Sequence, residues 1–284
     1  MSKPPSLILP SDARAYRLTT DRGAFAAHEA GAPVRGTALL VPGFTGSKED
    51  FIALLEPLAA AGYRVVAVDG RGQYESPGPR QEAPYALEEL AGDLLAQVRA
   101  LGGGPVHLVG HSLGGLIARA AVLRDPAPFA SLTLMSSGPA AIEEVQRART
   151  KLLVAALEEM GDDMPALWTA MRSQDPPDGG EDSPELLAFL RERWLATVPE
   201  QLIVTGRTLI SEPDRVEELA AVPLPMLVLS GTVDYAWPVP SMDDMAQRLG
   251  AERVVVPAAE HSPNAENPQV TADALVAFWD ACAR

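Results

Sequence analysis

Short apolar runs alternate with helix-like segments along most of this sequence. Mostly apolar segments of five residues occur at 37–41, 64–68, 105–109 and 131–135. Segments with apolar residues at helical spacing lie between them, at 49–61, 87–101 and 113–124. Such short apolar strands are typical of a sheet buried on both faces, and intervening helices are typical of parallel strands. The alternation predicts an α/β fold with a parallel sheet and helices on both faces. Residues 15–20 and 24–30 flank Asp21-Arg22-Gly23 and predict an opening antiparallel hairpin.

The alternation stops after Ser136-Ser137-Gly138. Residues 139–222 contain only helical patterns, at 141–160, 165–173, 184–197 and 199–211, and an acidic linker at 175–184. Strand-like runs resume at 225–230 and 253–256, separated by a helix near 241–249, and a last helix begins near Gln269. We therefore predict a sheet domain formed by residues 1–138 and 223–284, with an all-helical insertion at 139–222. An insertion after a strand is well placed to roof the carboxyl ends of the strands, where open α/β sheets bind ligands.

Composition narrows the class of partner. The 284 residues carry a formal net charge of −15, which argues against nucleic acid and anionic lipid as partners, because both attract basic patches. The only cysteine is Cys282, so no disulfide is expected within the chain. No run approaches the ~18 apolar residues of a membrane span, and the first residues lack the apolar core of a signal peptide. We expect a cytoplasmic protein that acts on a small molecule, and the sequence does not indicate its oligomeric state.

The sequence Gly-His-Ser-Leu-Gly-Gly at 110–115 stands between a predicted strand and a predicted helix. Glycine and serine are common turn residues, so a glycine-rich turn would account for it. A nucleophile would also account for it, because a nucleophilic serine can sit on a sharp strand-to-helix turn with small residues two positions to either side. Gly110 and Gly114 occupy those positions around Ser112. We therefore interpret Ser112 as a candidate nucleophile.

A serine hydroxyl needs a general base, and the sequence offers four histidines. His111 adjoins the serine, where its side chain points away, and we interpret it as structural. His107 lies inside an apolar run and is expected to be buried and hydrogen-bonded. His28 falls in the opening hairpin and is expected at the surface. His261 follows the last predicted strand in a proline-rich loop, so it is our candidate base.

The third candidate is a carboxylate that orients the imidazole and stabilises its positive form. Asp234 follows the predicted strand at 225–230 and lies between the serine and the histidine in the chain. Asp243 and Asp244 fall within the next predicted helix and are expected to be solvated. Glu260 adjoins His261 and cannot easily reach the far nitrogen of its ring. We therefore choose Asp234.

These motifs resemble those of the α/β-hydrolase superfamily over nearly the whole chain, apart from the first dozen residues. The Ser112 motif, Gly-x-x-Asp-x-x-x-Pro at 231–238 and the late His261 follow the family order of nucleophile, acid and base. The resemblance implies an eight-stranded, mostly parallel sheet with a helical cap inserted after the sixth strand. It also implies an oxyanion hole made by two backbone N–H groups, those of Leu113 and of Phe44 in the loop at 41–46.

Two loops depart from the pattern of the family. Many relatives have His-Gly where this chain has Pro42-Gly43, so the hydrogen bonds of that histidine must come from elsewhere. Relatives often carry Asp-x-Arg-Gly-x-Gly-x-Ser after the fourth strand, and residues 69–76 match it except that Tyr74 replaces the later glycine. We interpret this loop as structural support near the site. Tyr74 or Glu75 lining the pocket is the alternative.

Large side chains of the insertion, of the loop at 69–76 and beside the acid are candidates for the substrate pocket, because ligand pockets are mostly apolar. Core packing of the cap is the alternative explanation for those in the insertion. The candidates are Tyr74, Met164, Trp168, Trp194, Tyr235 and Trp237.

The residues together favour a serine hydrolase that needs no cofactor and no metal. We expect it to cleave a small, mainly apolar carboxylic ester, lactone or thioester through an acyl-enzyme on Ser112. A carbon–carbon bond or amide hydrolase with the same three residues remains open. So does a ligand-binding receptor of the same fold with slow turnover, because one fold hosts many functions.

Overall fold

The computed structural model describes residues 2–173 and 182–282, and its strands form one eight-stranded sheet. The strands are β1 (Arg14–Thr20), β2 (Gly23–Ala30), β3 (Gly36–Val41), β4 (Tyr63–Val68), β5 (Val106–His111), β6 (Phe129–Met135), β7 (Met226–Gly231) and β8 (Glu252–Val256). They lie in the order β1-β2-β4-β3-β5-β6-β7-β8. β2 is antiparallel to β1 and β4, so the opening hairpin is confirmed, and the other neighbours are parallel.

Helices cover both faces of this sheet. The helices are α1 (Ile52–Ala60), α2 (Leu87–Leu101), α3 (Leu113–Arg124), α4 (Glu144–Met160), α5 (Met164–Arg172), α6 (Pro184–Ala196), α7 (Pro199–Ser211), α8 (Val216–Ala220), α9 (Val239–Leu249), α10 (Pro263–Glu266) and α11 (Pro268–Cys282). Successive side chains of a strand point to opposite faces. Val65 accordingly packs in the core beneath α1 and α11, while Val66 packs in the core beneath α2 and α3. The predicted fold, a mostly parallel eight-stranded sheet with helices on both faces, is confirmed.

Two local expectations in the first third of the chain need correction. The predicted helix at 49–61 is divided into a 3-10 helix, Lys48–Phe51, and α1, which contains Pro57. His28 is not at the surface but 7% exposed. Strand β2 lies inside the sheet between β1 and β4, and the 3-10 helix packs over its end, which places Glu49 Oε1 3.8 Å from His28 Nε2.

The described residues between β6 and β7 fold into the helices α4 to α8. Helices α4 to α7 share a core of their own, which includes Val154, Leu157, Leu190 and Leu202. The acidic linker predicted at 175–184 lies outside the described residues as far as residue 181. Arg119 of α3 links the helical segment to the sheet domain at two points. It donates to the Pro139 carbonyl before α4, and it forms an ion pair with Glu212 after α7.

Candidate active site

Ser112 lies on the turn between β5 and α3 in a backbone conformation that is rare for serine, with φ 56° and ψ −120°. The turn is tight enough that only glycine fits at two neighbouring positions. A Cβ at Gly110 would collide with the carbonyl of Gly114, and a Cβ at Gly114 would collide with the carbonyl of Val41. The strand-to-helix turn expected from the glycine spacing is therefore present, and it holds the hydroxyl of Ser112 above the end of the sheet.

The three residues singled out in the sequence meet at this end of the sheet. His261 Nε2 lies 3.0 Å from Ser112 Oγ, and His261 Nδ1 lies 2.8 Å from Asp234 Oδ2. The other carboxylate oxygen, Asp234 Oδ1, accepts the backbone N–H groups of Ala236 and Trp237 at 2.8 and 3.0 Å. The loop of Asp234 thus holds Oδ1 in place, which leaves Oδ2 to face the imidazole of His261.

His111 supports the loop that carries His261. Its Nε2 donates to the backbone carbonyl of His261 at 2.7 Å, so the neutral ring is protonated at Nε2. Burial lowers the pKa of His111 to about 4, which keeps the ring neutral at pH 7. The structural interpretation of His111 agrees with this contact. His107 is likewise buried, and its Nδ1 lies 2.8 Å from Ser131 Oγ, as expected.

The two residues expected to supply an oxyanion hole, Leu113 and Phe44, both lie near the serine. Leu113 is the first residue of α3, and the first N–H groups of a helix have no partner within the helix. Phe44 lies in the loop after β3, and both Phe44 and Ser112 line the same cavity. The Cβ of Ser112 lies beside Gly43 in this loop, only 3.1 Å from where a Cβ at Gly43 would stand. The loop after β3 and the nucleophile turn are therefore in direct contact.

Lys48 anchors this loop to residues 69–76. The Lys48 N–H donates to Asp69 Oδ1 at 2.7 Å, and its ammonium lies 3.0 Å from Asp69 Oδ2. The ammonium also contacts the carboxylates of Glu49 and Glu75 at 2.8 and 2.6 Å. Burial favours a lower pKa for Lys48, but the neighbouring carboxylates, Asp69 first, raise it above its usual value. Lys48 thus joins the segment after the Phe44 loop to residues 69–76, and Glu75 is one of its partners.

A cavity of about 100 Å³ opens over Ser112. Its lining residues all belong to the described part of the chain, and none of them is Asp, Glu, Lys or Arg. They are Ser2, Gly43, Phe44, Thr45, His111, Ser112, Ile142, Gln146, Thr150, Leu209, Tyr235, Ala236 and His261. Tyr235 was expected here, and its ring lies 4.7 Å from that of His261.

The other expected pocket residues lie elsewhere. Met164, Trp168 and Trp194 pack in the core of the helical segment, where the indole N–H of Trp194 donates to the Met164 carbonyl at 2.9 Å. Trp237 is buried behind His261, with ring centroids 6.4 Å apart, and donates to the Ala140 carbonyl. Tyr74 packs against α6 and against Lys48 of the 3-10 helix. Its ring stacks edge-on with Phe189 and lies under the Lys48 ammonium.

Sequence reasoning missed the cavity wall supplied by α4 and α7. Gln146 and Thr150 are one helical turn apart on α4, so both face the cavity, and Leu209 contributes from α7. One-turn spacing is present in the sequence, but every amphipathic helix shows it. Only the position of the helical segment over the sheet identifies these side chains.

In residues 2–173 and 182–282, no group of three or more His, Cys, Asp or Glu is placed to hold a metal ion.

Comparison with known proteins agrees with this fold. A sequence model of the Alpha/beta hydrolase family matches residues 38–274. The pimeloyl-(acyl-carrier protein) methyl ester esterase of Aeromonas hydrophila subsp. hydrophila is 31% identical over 222 residues, which are 75% of this chain and 84% of that protein. The 3-oxoadipate enol-lactonase 1 of Acinetobacter baylyi is 27% identical over 209 residues, 73% of this chain and 75% of that protein. A relative from Variovorax paradoxus is 38% identical over 111 residues, only 41% of its own length.

A solved structure shares the architecture as well. The thermophilic esterase of Thermogutta terrifontis superposes with a TM-score of 0.76 at 25% identity, over 95% of this chain and 100% of that one. Because the family match spans most of the sequence, the chain belongs to the alpha/beta hydrolase family. It is an enzyme of the hydrolase class. No helix in the described residues is long and apolar enough to cross a membrane.

Proposed function

We propose that this protein is a serine hydrolase in which Ser112 is the nucleophile, His261 the general base and Asp234 the acid that orients it. The observation that carries the proposal is the continuous chain of hydrogen bonds from Ser112 Oγ through His261 to Asp234. His261 Nε2 accepts the hydroxyl proton as Oγ attacks a carbonyl carbon, and Asp234 stabilises the imidazolium that forms. His261 then gives the proton to the leaving oxygen or sulfur. In the second half, His261 takes a proton from water as the water attacks the acyl carbon, and returns it to Ser112 Oγ as the acid is released.

The N–H groups of Phe44 and Leu113 hold the oxyanion of this reaction. The carbonyl oxygen gains negative charge as Oγ adds, and donors already aimed at its position stabilise the transition state more than the substrate. Removal of one such donor from an enzyme typically costs about a hundredfold to a thousandfold in kcat. The close contact of the Gly43 loop with Ser112 supports this assignment.

The lining and size of the cavity support a proposed substrate class. We propose a small, uncharged carboxylic ester, lactone or thioester, because the lining contains no charged side chain to bind an ionised group. The cavity is smaller than the roughly 300 Å³ at which pockets for drug-sized ligands begin, which favours a short acyl chain. The formal charge of −15 also disfavours the approach of anionic substrates.

Residues 139–222 are the proposed cap, and residues 1–138 and 223–284 the proposed core domain. Helices α4 and α7 supply Gln146, Thr150 and Leu209 to the cavity wall, so the cap selects the substrate while the core performs the chemistry. The cytoplasm is the proposed compartment, because the single cysteine leaves no disulfide within the chain.

Hydrolysis of p-nitrophenyl esters of graded acyl length, together with thioesters and lactones, tests this function. The wild-type protein is expected to prefer the shortest uncharged acyl groups. Ser112→Ala is expected to lose acyl-ester turnover while its melting temperature stays close to that of the wild type. Turnover by Ser112→Ala at the wild-type rate would contradict the nucleophile assignment.

A further inference from the structure

The loop after β3 lacks the histidine that many relatives carry, so its conformation must be fixed by other groups. The critical peptide joins Gly43 to Phe44, because it carries the proposed oxyanion donor. In a planar trans peptide the C=O and N–H bonds point in opposite directions. Whatever holds the Gly43 carbonyl therefore also sets the direction of the Phe44 N–H.

Gln73 holds that carbonyl. Its side-chain Nε2 donates to the Gly43 oxygen at 3.0 Å, and this contact is buried. The backbone N–H of Gly46 reaches the same oxygen at 3.1 Å. The Gln73 amide has a defined orientation, because its Oε1 accepts the N–H of Gly70 at 2.9 Å. An acceptor occupied in this way leaves Nε2, the donor, facing Gly43.

The residues on either side of Gln73 are fixed by the helical segment. The Gly72 carbonyl accepts the N–H of Val198 at 2.9 Å, and the N–H of Tyr74 lies 3.3 Å from Thr197 Oγ1. Both partners lie at the junction of α6 and α7. Gln73 itself is 4% exposed, so water does not compete for its hydrogen bonds. Its side chain thus spans the gap between a braced turn and the peptide that carries the proposed oxyanion donor.

We propose that Gln73 is a positioning residue that aims the Phe44 N–H at the oxyanion, replacing the support that the loop histidine gives in relatives. This inference rests on the proposed serine-hydrolase function. Gln73 does not touch the substrate. It acts by restricting rotation of the Gly43–Phe44 peptide, so its loss weakens binding of the transition state more than binding of the substrate.

Gln73→Met tests the proposal, because methionine keeps the length and burial of the side chain but cannot donate to Gly43. The matched control is Gln201→Met. Gln201 is also buried and lines the same small internal cavity as Gln73, but its Oε1 has no hydrogen-bond partner in the described structure. We expect Gln73→Met to lower kcat for a p-nitrophenyl ester by about tenfold to a hundredfold with KM nearly unchanged. Gln201→Met is expected to remain within about twofold of the wild type, because it removes no donor from the Gly43 peptide.

A second readout separates positioning from general loss of structure. A trifluoromethyl ketone that adds to the serine places an oxyanion in the hole, whereas the parent methyl ketone binds as a ground-state analogue. Gln73→Met is expected to weaken binding of the trifluoromethyl ketone by the same factor by which it lowers kcat. Binding of the methyl ketone is expected to stay unchanged. Equal kcat in the two methionine variants, or equal weakening of both ketones, would overturn the proposal. Failure of the function itself has a different signature, namely that Ser112→Ala retains turnover.

Discussion

The guanidinium of Arg193 lies 2.8 Å from the carboxylate of Asp50, and both side chains are almost completely buried. This ion pair joins α6 to the 3-10 helix that follows the Phe44 loop. The backbone carbonyl of Asp50 in turn accepts the side-chain amide of Asn264 at 2.7 Å, three residues after His261. A single buried pair therefore connects the helical segment to the Phe44 loop and to the loop that carries His261.

Loss of the Arg193 charge is expected to destabilise the protein. Burial raises the pKa of Asp50, and Arg193 opposes that rise, so Arg193→Leu leaves a buried carboxyl group without its counter-charge. We expect the free energy of unfolding at pH 7 to fall by about 3–5 kcal/mol, as measured by urea denaturation. The double variant Arg193→Leu, Asp50→Asn should recover part of this loss. A cost below about 1 kcal/mol, as for an exposed ion pair, would show that the pair does not hold the segment.

Asp234→Asn is expected to lower kcat on the order of a thousandfold or more, as in serine proteases that lose the same carboxylate. The asparagine keeps the contacts of Oδ1 with Ala236 and Trp237, but it can present its NH₂ to His261 Nδ1 and then favours the wrong tautomer. Steady-state kinetics measure the effect, and the melting temperature should change little. Asp243→Asn is the matched control, since that exposed carboxylate pairs with Arg253 outside the site. Similar losses in both variants would exclude a specific role for Asp234.

His107 is expected to make stability fall on acidification. Burial lowers its pKa from 6.5 to about 4, so between these pH values the unfolded chain binds more protons at this residue than the folded chain does. Its contribution is complete above pH 6.5 and is lost as the pH falls towards 4. Burial raises the pKa of Asp69, which has the opposite sign, so the His107 effect must be isolated by difference.

The test compares the free energy of unfolding of the wild type with that of His107→Gln. Both are measured by urea denaturation over a range of pH. The stability of His107→Gln should fall less steeply on acidification, by up to about 1.4 kcal/mol per pH unit. Above pH 7 the two stability curves should be parallel, because His107 is neutral in both folded and unfolded chains. Parallel curves over the whole range would mean that the folded protein binds a proton at His107 as readily as the unfolded chain does.

Leu209→Ala is expected to shift acyl preference towards longer chains. Leu209 lines the cavity from α7, and its truncation makes room for additional methylene groups, each worth about 1–3 kcal/mol in a hydrophobic pocket. The ratio of kcat/KM for a hexanoate ester to that for an acetate ester should rise about tenfold. Leu202→Ala on the same helix is the control, because Leu202 packs in the core of the segment. An unchanged ratio in Leu209→Ala would place the acyl group elsewhere.

Much of the fold could be predicted from local patterns. Strands β3 to β6 are short and apolar because both faces are covered, and α2 and α3 begin and end where their apolar spacing and glycines indicate. The expectation failed at His28, because its burial depends on the 3-10 helix that packs over β2. That contact is made by residues twenty positions further along the chain. The sequence pattern of the hairpin alone therefore does not indicate that His28 is buried.

The candidate site divides in the same way. The positions of Ser112, Asp234 and His261 after predicted strands were enough to predict that they lie close together, because parallel strands end at one edge of the sheet. Their catalytic roles stay a prediction. The aromatic residues of α5 and α6 were poor guides to the cavity, because aromatic side chains also form the core of a small helical segment. Gln73 was overlooked because its significance comes from a hydrogen bond to a backbone carbonyl thirty residues away.

Covalent labelling tests the central claim most directly. A fluorophosphonate phosphonylates a serine, with release of fluoride, only if a nearby base activates the hydroxyl, and peptide mapping by mass spectrometry identifies the modified residue. The account predicts one adduct per chain, located on Ser112, with loss of esterase activity in proportion to labelling and no adduct in Ser112→Ala. An active protein that remains unlabelled at Ser112, or labelling at Ser112 without loss of activity, would contradict it.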